Sequence, residues 1–371
     1  MSYRKIRLFH FRNLADAEVD VNAPEIFLVG ENGQGKTNFV EAVYMLSFGS
    51  SFRTRKEQIL VRNGESECSL HGWMENGETV SVRFGKQAAE AGKREIRLND
   101  KIIADRKELI AHTPCIVFCH DDIEFVRGAP EMQRWFFNQT LSLFDPGFID
   151  RLRTFTRVLK LRNAVLKRMQ EHPAAADEHA LLDVYDTELV AHGMRIRDDR
   201  LRAIVAFNVP SADIFQKIAR VGDDLVIRYR PSWKSELDAG AILEHLRTLR
   251  NYDIRMGTST SGPHRDRFQF SVSGRDFTQY ASTGQLRLMS LILRVAQARF
   301  YADQTGQKPV LLLDDVLLEL DRERRIQFLA ELPAYDQAFF TFLPDEQYAF
   351  YRRADTLVYR VGSGVIAHAS V

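Results

Sequence analysis

The 371-residue chain predicts an α/β protein whose sheet domain is interrupted by a helical insert. Three observations lead there. A short apolar strand pattern, "EIFLV" at 25–29, opens into the glycine-rich stretch "GENGQGKT" and then a helical pattern. A second apolar run, "PVLLLDD" at 309–315, ends in two aspartates. Between them, residues from about 130 to 210 carry almost only helical periodicity, broken at "HPAAADE" (172–178). Each end looks incomplete alone. Residues 1–130 and 255–371 are therefore expected to pack together as a head, with 131–254 projecting as a mostly helical arm.

Along the chain, residues 3–9 form a strand pattern, and 25–29 are wholly apolar, as in a buried sheet. A helix is predicted from Lys36 to Leu46. Between 66 and 103 the runs "CSLHGWM", "TVSVRF" and "EIRLNDKII" alternate and are broken by turn residues, which predicts hairpins. "PCIVF" (114–118) returns to buried strand. Strands are predicted at 224–230 and 266–272, and helices at 235–253 and 284–302. The strand at 309–315, a helix to about 331, a strand at 338–343 and strands near 356–361 and 364–368 complete the order.

Composition narrows the function. Apolar residues make up 45% of the chain, enough for a large core, and the net charge is +1. A nucleic-acid contact must then come from a local patch. Cys68, Cys115 and Cys119 cannot form a disulfide framework and fit a reducing compartment. No apolar run approaches 18 residues, and "MSYRKIRLFHF" is a charged strand pattern rather than a signal peptide. A soluble, cytoplasmic protein is expected, with no membrane partner.

Gly30, Glu31, Asn32, Gly33, Gln34, Gly35, Lys36 and Thr37 match G-x-x-x-x-G-K-[ST] in the right strand-to-helix setting. The glycines let backbone N–H groups turn inward around a phosphate, and the helix N-terminus adds partial positive charge. Lys36 reaches the outer phosphates, and Thr37 offers a hydroxyl to Mg²⁺. The cofactor is expected to be ATP with Mg²⁺. Asp314 and Asp315 end a buried strand where α/β sheets bind ligands. Asp314 is expected to hold Mg²⁺, and Asp315 to orient or deprotonate the attacking water.

A second turn of the same chemistry occurs at "ASTGQLR". Ser282 alone reads as an ordinary helix N-cap. In order, however, the phosphate loop, Ser-x-Gly-Gln opening a helix, the Asp-Asp strand and "ELD" follow the arrangement of ABC-type ATPases. There the signature helix faces the γ-phosphate held by a partner subunit.

With "FRNL" (Phe11 to Leu14), "GENGQGKTNFVEAVYMLSFGSSFRT", "VRGAPEMQRWFFNQTLS", "TSGPHRDRF", "YASTGQLR" and "LLLDDVLLELDRERR", the chain resembles the RecF family, of the SMC-like branch of ABC ATPases, nearly end to end. The resemblance implies an ABC/SMC-like ATPase head of mixed sheets and helices with an inserted helical arm. It implies an ATP-dependent homodimer and DNA bound through its backbone, duplex or gapped. It further implies weak, DNA-stimulated hydrolysis that releases the dimer, and support of RecO and RecR in loading recombinase onto gaps during replication, repair and the SOS response. A nucleoid-associated place in a bacterial cytoplasm goes with this. The 130–255 block has no sustained heptad run, in keeping with a family that lacks the long SMC coiled coil.

Carried over by residue, the resemblance assigns Gly30 to Thr37 and Asn38 to the nucleotide, and Arg12 near its base or phosphates. Arg53 falls close to phosphate or DNA. Ser282, Gly284 and Gln285 become the trans signature, and Glu319 and Asp321 a loop at the dimer seam. Thr341 stands where transporter ATPases carry a switch histidine. Several positions depart from the family pattern: Arg267 stands at the last aspartate of the expected "GPHRDD", Trp135 and Asn138 alter "RRRFLD", and Leu318 replaces a serine. Leu286 and Leu288 flank Arg287 in a stretch that is usually more polar. "HDDIEFVRG" (His120 to Gly128) occupies the place of a glutamine loop.

One further feature belongs to the arm. "RLRTFTRVLKLRNAVLKR" (151–168) holds seven basic residues and no acid. Helical spacing puts Arg153, Arg157, Lys160, Lys167 and Arg168 on one face, opposite Leu152, Phe155, Leu159 and Leu166. Such a face either tracks a phosphate backbone or is solvated with acids on a neighbouring helix. Arg162 falls on the apolar side. No sequence-reading motif is present, so DNA recognition is expected through backbone and shape. Other readings of the motif set are an SMC-like ATPase of a nuclease or anti-phage system, a monomeric P-loop kinase or GTPase, and a binding module without hydrolysis. A GTPase should carry an Asn-Lys-x-Asp guanine reader, and none occurs.

Overall fold

The computed structural model describes residues 2–54, 56–85, 94–172, 176–219 and 224–369. In chain order, β1 (Tyr3–Phe9), β2 (Ala17–Asp20), β3 (Glu25–Val29), α1 (Lys36–Phe48), β4 (Glu67–Met74), β5 (Thr79–Gly85), β6 (Glu95–Leu98), β7 (Lys101–Ile102), α2 (Arg106–His112) and β8 (Cys115–Phe118) come first. Next are α3 (Ile123–Arg127), α4 (Pro130–Phe144), α5 (Pro146–Glu171), α6 (Ala176–Ala219), β9 (Leu225–Arg230), α7 (Ala239–Met256), β10 (Arg267–Val272) and β11 (Arg275–Asp276). Last are α8 (Thr283–Thr305), β12 (Val310–Leu313), α9 (Arg322–Glu331), β13 (Gln337–Phe342), β14 (Thr356–Gly362) and β15 (Val365–His368).

Two compact units divide the chain. Unit 1 joins residues 1–122 to 293–371; unit 2 is 123–292. Unit 2 is wider than the 131–254 arm drawn from the sequence. The reason is strand pairing: β10 bonds β9 along its length, from Arg267↔Arg230 to Val272↔Leu225.

In unit 1 a six-stranded sheet has the order β15-β14-β3-β13-β12-β8. β3 lies between β13 and β14, parallel to both, and all five of its residues are buried. A parallel strand covered on both faces needs a continuous apolar run, which "EIFLV" supplies. The shared direction brings the C-terminal ends of β3, β12 and β13 to one edge. A second sheet, β2-β1-β4-β5-β6-β7, is antiparallel throughout. β4 alternates strictly between buried and half-exposed positions, as a one-sided sheet requires. α1 packs against strands of both sheets and is buried nearly all round. β2 and α2 were not anticipated. "AEVD" is too short and polar to show a period, and α2 is a seven-residue helix capped by the Asp105 carboxylate, which accepts from the Lys107 N–H at 2.9 Å.

In unit 2, Phe155, Leu189, Ile196, Trp233, Ile242 and Leu246 form the core with α5, α6 and α7 around it. Arg162, fully buried, donates to Asp186 at 2.6 Å and to Asp253 and the Ser259 hydroxyl at 2.7 Å each. Its place on the apolar face is thus occupied by an ion-paired arginine that ties three helices together.

Candidate functional site

The phosphate loop runs from the end of β3 into α1. Gly35 lies at φ 119°, a conformation only glycine adopts freely, and a Cβ there would meet the Leu14 side chain at 2.7 Å. Gly30 is glycine for a packing reason: a Cβ would lie 2.2 Å from the Val361 carbonyl oxygen of β14. The loop is also held from outside. The Gly364 N–H donates to the Gln34 carbonyl at 3.0 Å and the Ser363 N–H to the Gln34 side chain at 2.5 Å. Asn38 donates to Asn13 at 2.6 Å.

Lys36 is buried, its ammonium donating to the carbonyls of Gly30 at 2.7 Å and Glu31 at 3.3 Å, with the Asp315 carboxylate 3.8 Å away. The Thr37 hydroxyl donates to Asp314 at 2.9 Å. The Thr341 hydroxyl lies between the two aspartates, 3.3 Å from Asp314 and 2.8 Å from Asp315, and accepts the Asp315 N–H at 2.7 Å. Residues 277 to 305 positions apart in sequence thus meet at one sheet edge. β12 ends at Leu313, two residues short of the predicted 315, because Asp315 takes a left-handed turn at φ 55°. That turn aims the two carboxylates differently: Asp314 is buried, while Asp315 is about a third exposed. Burial first, and the Asp315 charge second, push the Asp314 carboxyl up to about 7.

Hydroxyl and carboxylate oxygens are the donor set of a hard divalent cation. Two close carboxylates, one of them desolvated and raised by the charge of the other, with a threonine hydroxyl beside them, fit Mg²⁺ at Thr37 and Asp314.

Glu41 went unnoticed in the sequence. It is fully buried on α1 and takes a bidentate pair from Arg12, at 2.9 and 2.7 Å. Ser51 donates to it as well, and Arg53 approaches at 3.4 Å while donating to Asn38 at 2.8 Å. Arg12 and Arg53 therefore converge on an acid behind the loop. A lone glutamate in the otherwise apolar "NFVEAVYML" was the available signal, since a buried charge needs partners. In the "HDDIEFVRG" stretch, Asp122 accepts from buried Arg294 at 2.6 Å.

At the start of α8, Ser282 and Gln285 form a capping box: the Ser282 N–H donates to Gln285 Oε1 at 2.8 Å and the Gln285 N–H to Ser282 Oγ at 3.3 Å. Ser282, Gly284 and Gln285 are exposed, and a Cβ on Gly284 would meet nothing within 4 Å. Leu286 and Leu288 are buried core residues. Asp321 caps α9, accepting the Arg324 N–H at 2.8 Å. The side chain of Glu319 lies outside the described residues.

The "SGPHRD" element is an internal pin of unit 2. Asp266 accepts from Arg200 at 2.6 Å, from the Ser232 N–H at 2.7 Å and from the Tyr229 hydroxyl. Arg200 also reaches Asn138, one of the departures from the family pattern, at 2.9 Å. His264 bonds the Ser259 carbonyl at 3.0 Å, and burial lowers its pKa to about 4.

The five cations on α5 do share an exposed face. Three of them are nevertheless compensated: Arg153 by Asp150 at 3.5 Å, Lys167 by Glu171 at 3.9 Å and Arg168 by Glu178 of α6 at 3.4 Å. The acids lie just outside the 151–168 window and on the neighbouring helix, where sequence spacing could not show them.

A phosphate-type loop, a carboxylate pair on the parallel strand beside it and a capped Ser-x-Gly-Gln helix stand on the scaffold of an ABC/SMC-like ATPase head. The family model described as the RecF/RecN/SMC N terminal domain matches residues 2–359. The SMC head of Pyrococcus furiosus shares this fold at TM-score 0.56 and 14% identity, over 100% of this chain and 96% of that one. A DNA replication and repair protein RecF of Treponema pallidum is 43% identical over 362 residues, 96% of this chain and 98% of its own length. That of Leptospira interrogans is 32% identical over 92% of this chain and 91% of its own. The recombination mediator RecF–ATP structure of the RecFOR pathway matches at TM-score 0.88 and 25% identity, over 100% of this chain and 99% of that one. The chain belongs to the RecF family.

Proposed function

We propose that this chain is an ATP-dependent DNA-binding protein of replication and recombinational repair, in which two copies share each nucleotide. The observation that supports it best is the polar cluster of Lys36, Thr37, Asp314, Asp315 and Thr341 at one sheet edge. The loop from Gly30 to Asn38 holds the phosphates. Lys36 exchanges its carbonyl acceptors for phosphate oxygens. Mg²⁺, when held by Thr37 and Asp314, supplies charge to the phosphates. Asp315 accepts hydrogen bonds from the attacking water, and Thr341 fixes the carboxylate's direction. Arg12 and Arg53 brace the loop through Glu41, and Arg53, the more exposed, extends toward phosphate or DNA.

The exposed N-terminus of α8, with open space over Gly284, suits a γ-phosphate presented by a second copy. The segment through Glu319 and Asp321 borders that seam. ATP then holds the dimer, and weak hydrolysis releases it. DNA that prefers the dimer tightens ATP binding, and ATP tightens DNA binding equally. The name of the RecFOR pathway in the related structures supports RecO- and RecR-type partners, and the repair role a nucleoid-associated, cytoplasmic place.

Sedimentation of the purified protein with and without ATP, on gapped and ungapped DNA, tests this reading. An ATP-dependent shift to dimer, larger with DNA, is expected. Full ATPase per chain at any dilution would sink the shared-site scheme.

A further inference from the structure

The small sheet of unit 2 has two unlike faces. Leu225, Ile227, Tyr229, Phe268, Phe270 and Val272 point inward; Phe268 stacks on Tyr229 at 5.0 Å and on Phe137 of α4 at 4.1 Å. The register pairs Arg230 with Arg267, Arg228 with Gln269 and Val226 with Ser271, so these six share the other face. Arg228, Arg230 and Arg267 are all exposed. Two arginines thus stand directly opposite across a strand pair, with a third two residues along.

Like charges in directly opposed positions repel, and sheets ordinarily relieve this with a carboxylate. In the six-stranded antiparallel sheet of unit 1, by comparison, exposed cations find carboxylates: Lys5 meets Glu18 at 2.7 Å, Arg83 meets Glu67 at 2.5 Å and Arg97 meets Glu95 at 2.7 Å. Among the described residues, no carboxylate pairs with Arg228, Arg230 or Arg267. Beside them, the buried Gln269 Oε1 has no hydrogen-bond partner among the described residues, while its amide donates to Asp276 at 3.0 Å.

The spacing suits a phosphate chain. Opposed Cα atoms in a strand pair lie about 5 Å apart, and alternate residues along a strand about 7 Å. Three arginine forks on that grid can engage successive phosphates. The face carries no aromatic residue on which an unpaired base could stack, which favours a duplex over a single strand.

We propose that Arg228, Arg230 and Arg267, on the solvent face of the β9–β10 pair, form a contact surface for the phosphate backbone of duplex DNA. This rests on the DNA-binding reading above and places the contact on a surface other than α5.

The test is duplex and single-strand binding by the full-length protein, titrated across salt, for wild type, Arg267→Asp and the Arg228→Gln/Arg230→Gln double variant. Arg267→Asp places a carboxylate opposite Arg230, so the fold keeps its thermal midpoint or gains a little. It removes one cation and engages another. The log Kd against log salt slope should therefore fall by about 2, at roughly 0.9 per phosphate, and duplex affinity near 0.15 M salt by about tenfold. The double variant should show a similar loss without introducing a negative charge. Wild-type duplex binding with unchanged affinity and slope in both variants overturns this surface and leaves the ATP-dependent DNA-binding reading standing. So does a loss confined to single strands, or a slope change seen only on replacing Arg157 and Lys160 of α5. A wild-type protein that binds no duplex, with or without ATP, overturns both.

Discussion

Two helix N-termini in this molecule carry similar residues and live in opposite surroundings. The first turn of α1 is enclosed. Lys36 is buried, Thr37 and Asp314 are bonded to each other, and Gly35 and Gly30 are pressed by Leu14 and by the β14 backbone. The start of α8 is exposed from Ser282 to Gln285, and these two residues bond each other reciprocally. Glycine inside a helix costs roughly 1 kcal/mol against alanine, and at Gly284 an added Cβ would meet nothing within 4 Å among the described residues. An enclosed terminus is shaped by its own fold, whereas an exposed one kept small suits something brought from outside.

The largest effect that would sharpen this contrast is at α1. Lys36→Arg should keep part of the nucleotide binding and lower turnover by at least about 100-fold, or roughly 3 kcal/mol. Steady-state ATPase checks it, and unchanged turnover would remove Lys36 from the site.

Next in size is the pH response of the enclosed cluster. The Asp314 carboxyl is raised to about 7 from an unfolded value near 4. Between those values the folded protein holds a proton that the unfolded chain has released, so stability is lost as pH rises from about 4 to about 7. The loss should be on the order of 3 kcal/mol for this group in metal-free protein. Thermal scans in a chelator should show Asp314→Asn melting above wild type at pH 7.5 and level with it near pH 4. Equal melting at both pH values would break the argument.

At α8, Ser282→Arg should abolish ATP-driven dimers in light scattering and cut ATPase by roughly thirtyfold, about 2 kcal/mol. The apoprotein should lose only about 1 kcal/mol with the cap. Normal dimers in this variant would end the idea of a shared site.

The smallest effect separates the units by the opposite sign of pH dependence. His264 is held near 4, below its usual value near 6.5. Protonation therefore favours the unfolded chain, and unit 2 loses stability as pH falls from about 6.5 to about 4. Its part exposure keeps this on the order of 1–2 kcal/mol. His264→Gln should flatten the acid limb of the melting curve; an unaltered limb would show that other groups set it.

Much of the site was legible before the structure. Lys36 and Thr37 sit within eight consecutive residues whose chemistry is local, and "VLLLDD" declares a buried strand with carboxylates at its end. Ser282 was legible as a cap, and its reciprocal bonds with Gln285 bear that out. What remained hidden was pairing over distance. Glu41, which gathers Arg12, Ser51 and Arg53, looked like one polar residue in an apolar helix. Asp266 looked like the end of a motif and is the hub for Arg200, Tyr229 and Ser232. The α5 cations left two readings open because Asp150, Glu171 and Glu178 lie beyond the basic run.

The sequence by itself determined the strand–loop–helix at Gly30 to Thr37, the order of the longer strands and helices, and the family. These follow from residues close in the chain, where periodicity and turn chemistry act without reference to the rest. Only the tertiary structure decided which charges are spent and which remain available. It paired Arg162 with Asp186 and Asp253, and it left Arg230 facing Arg267. Charge compensation works through space over a few ångströms, and the fold alone determines which residues come that close.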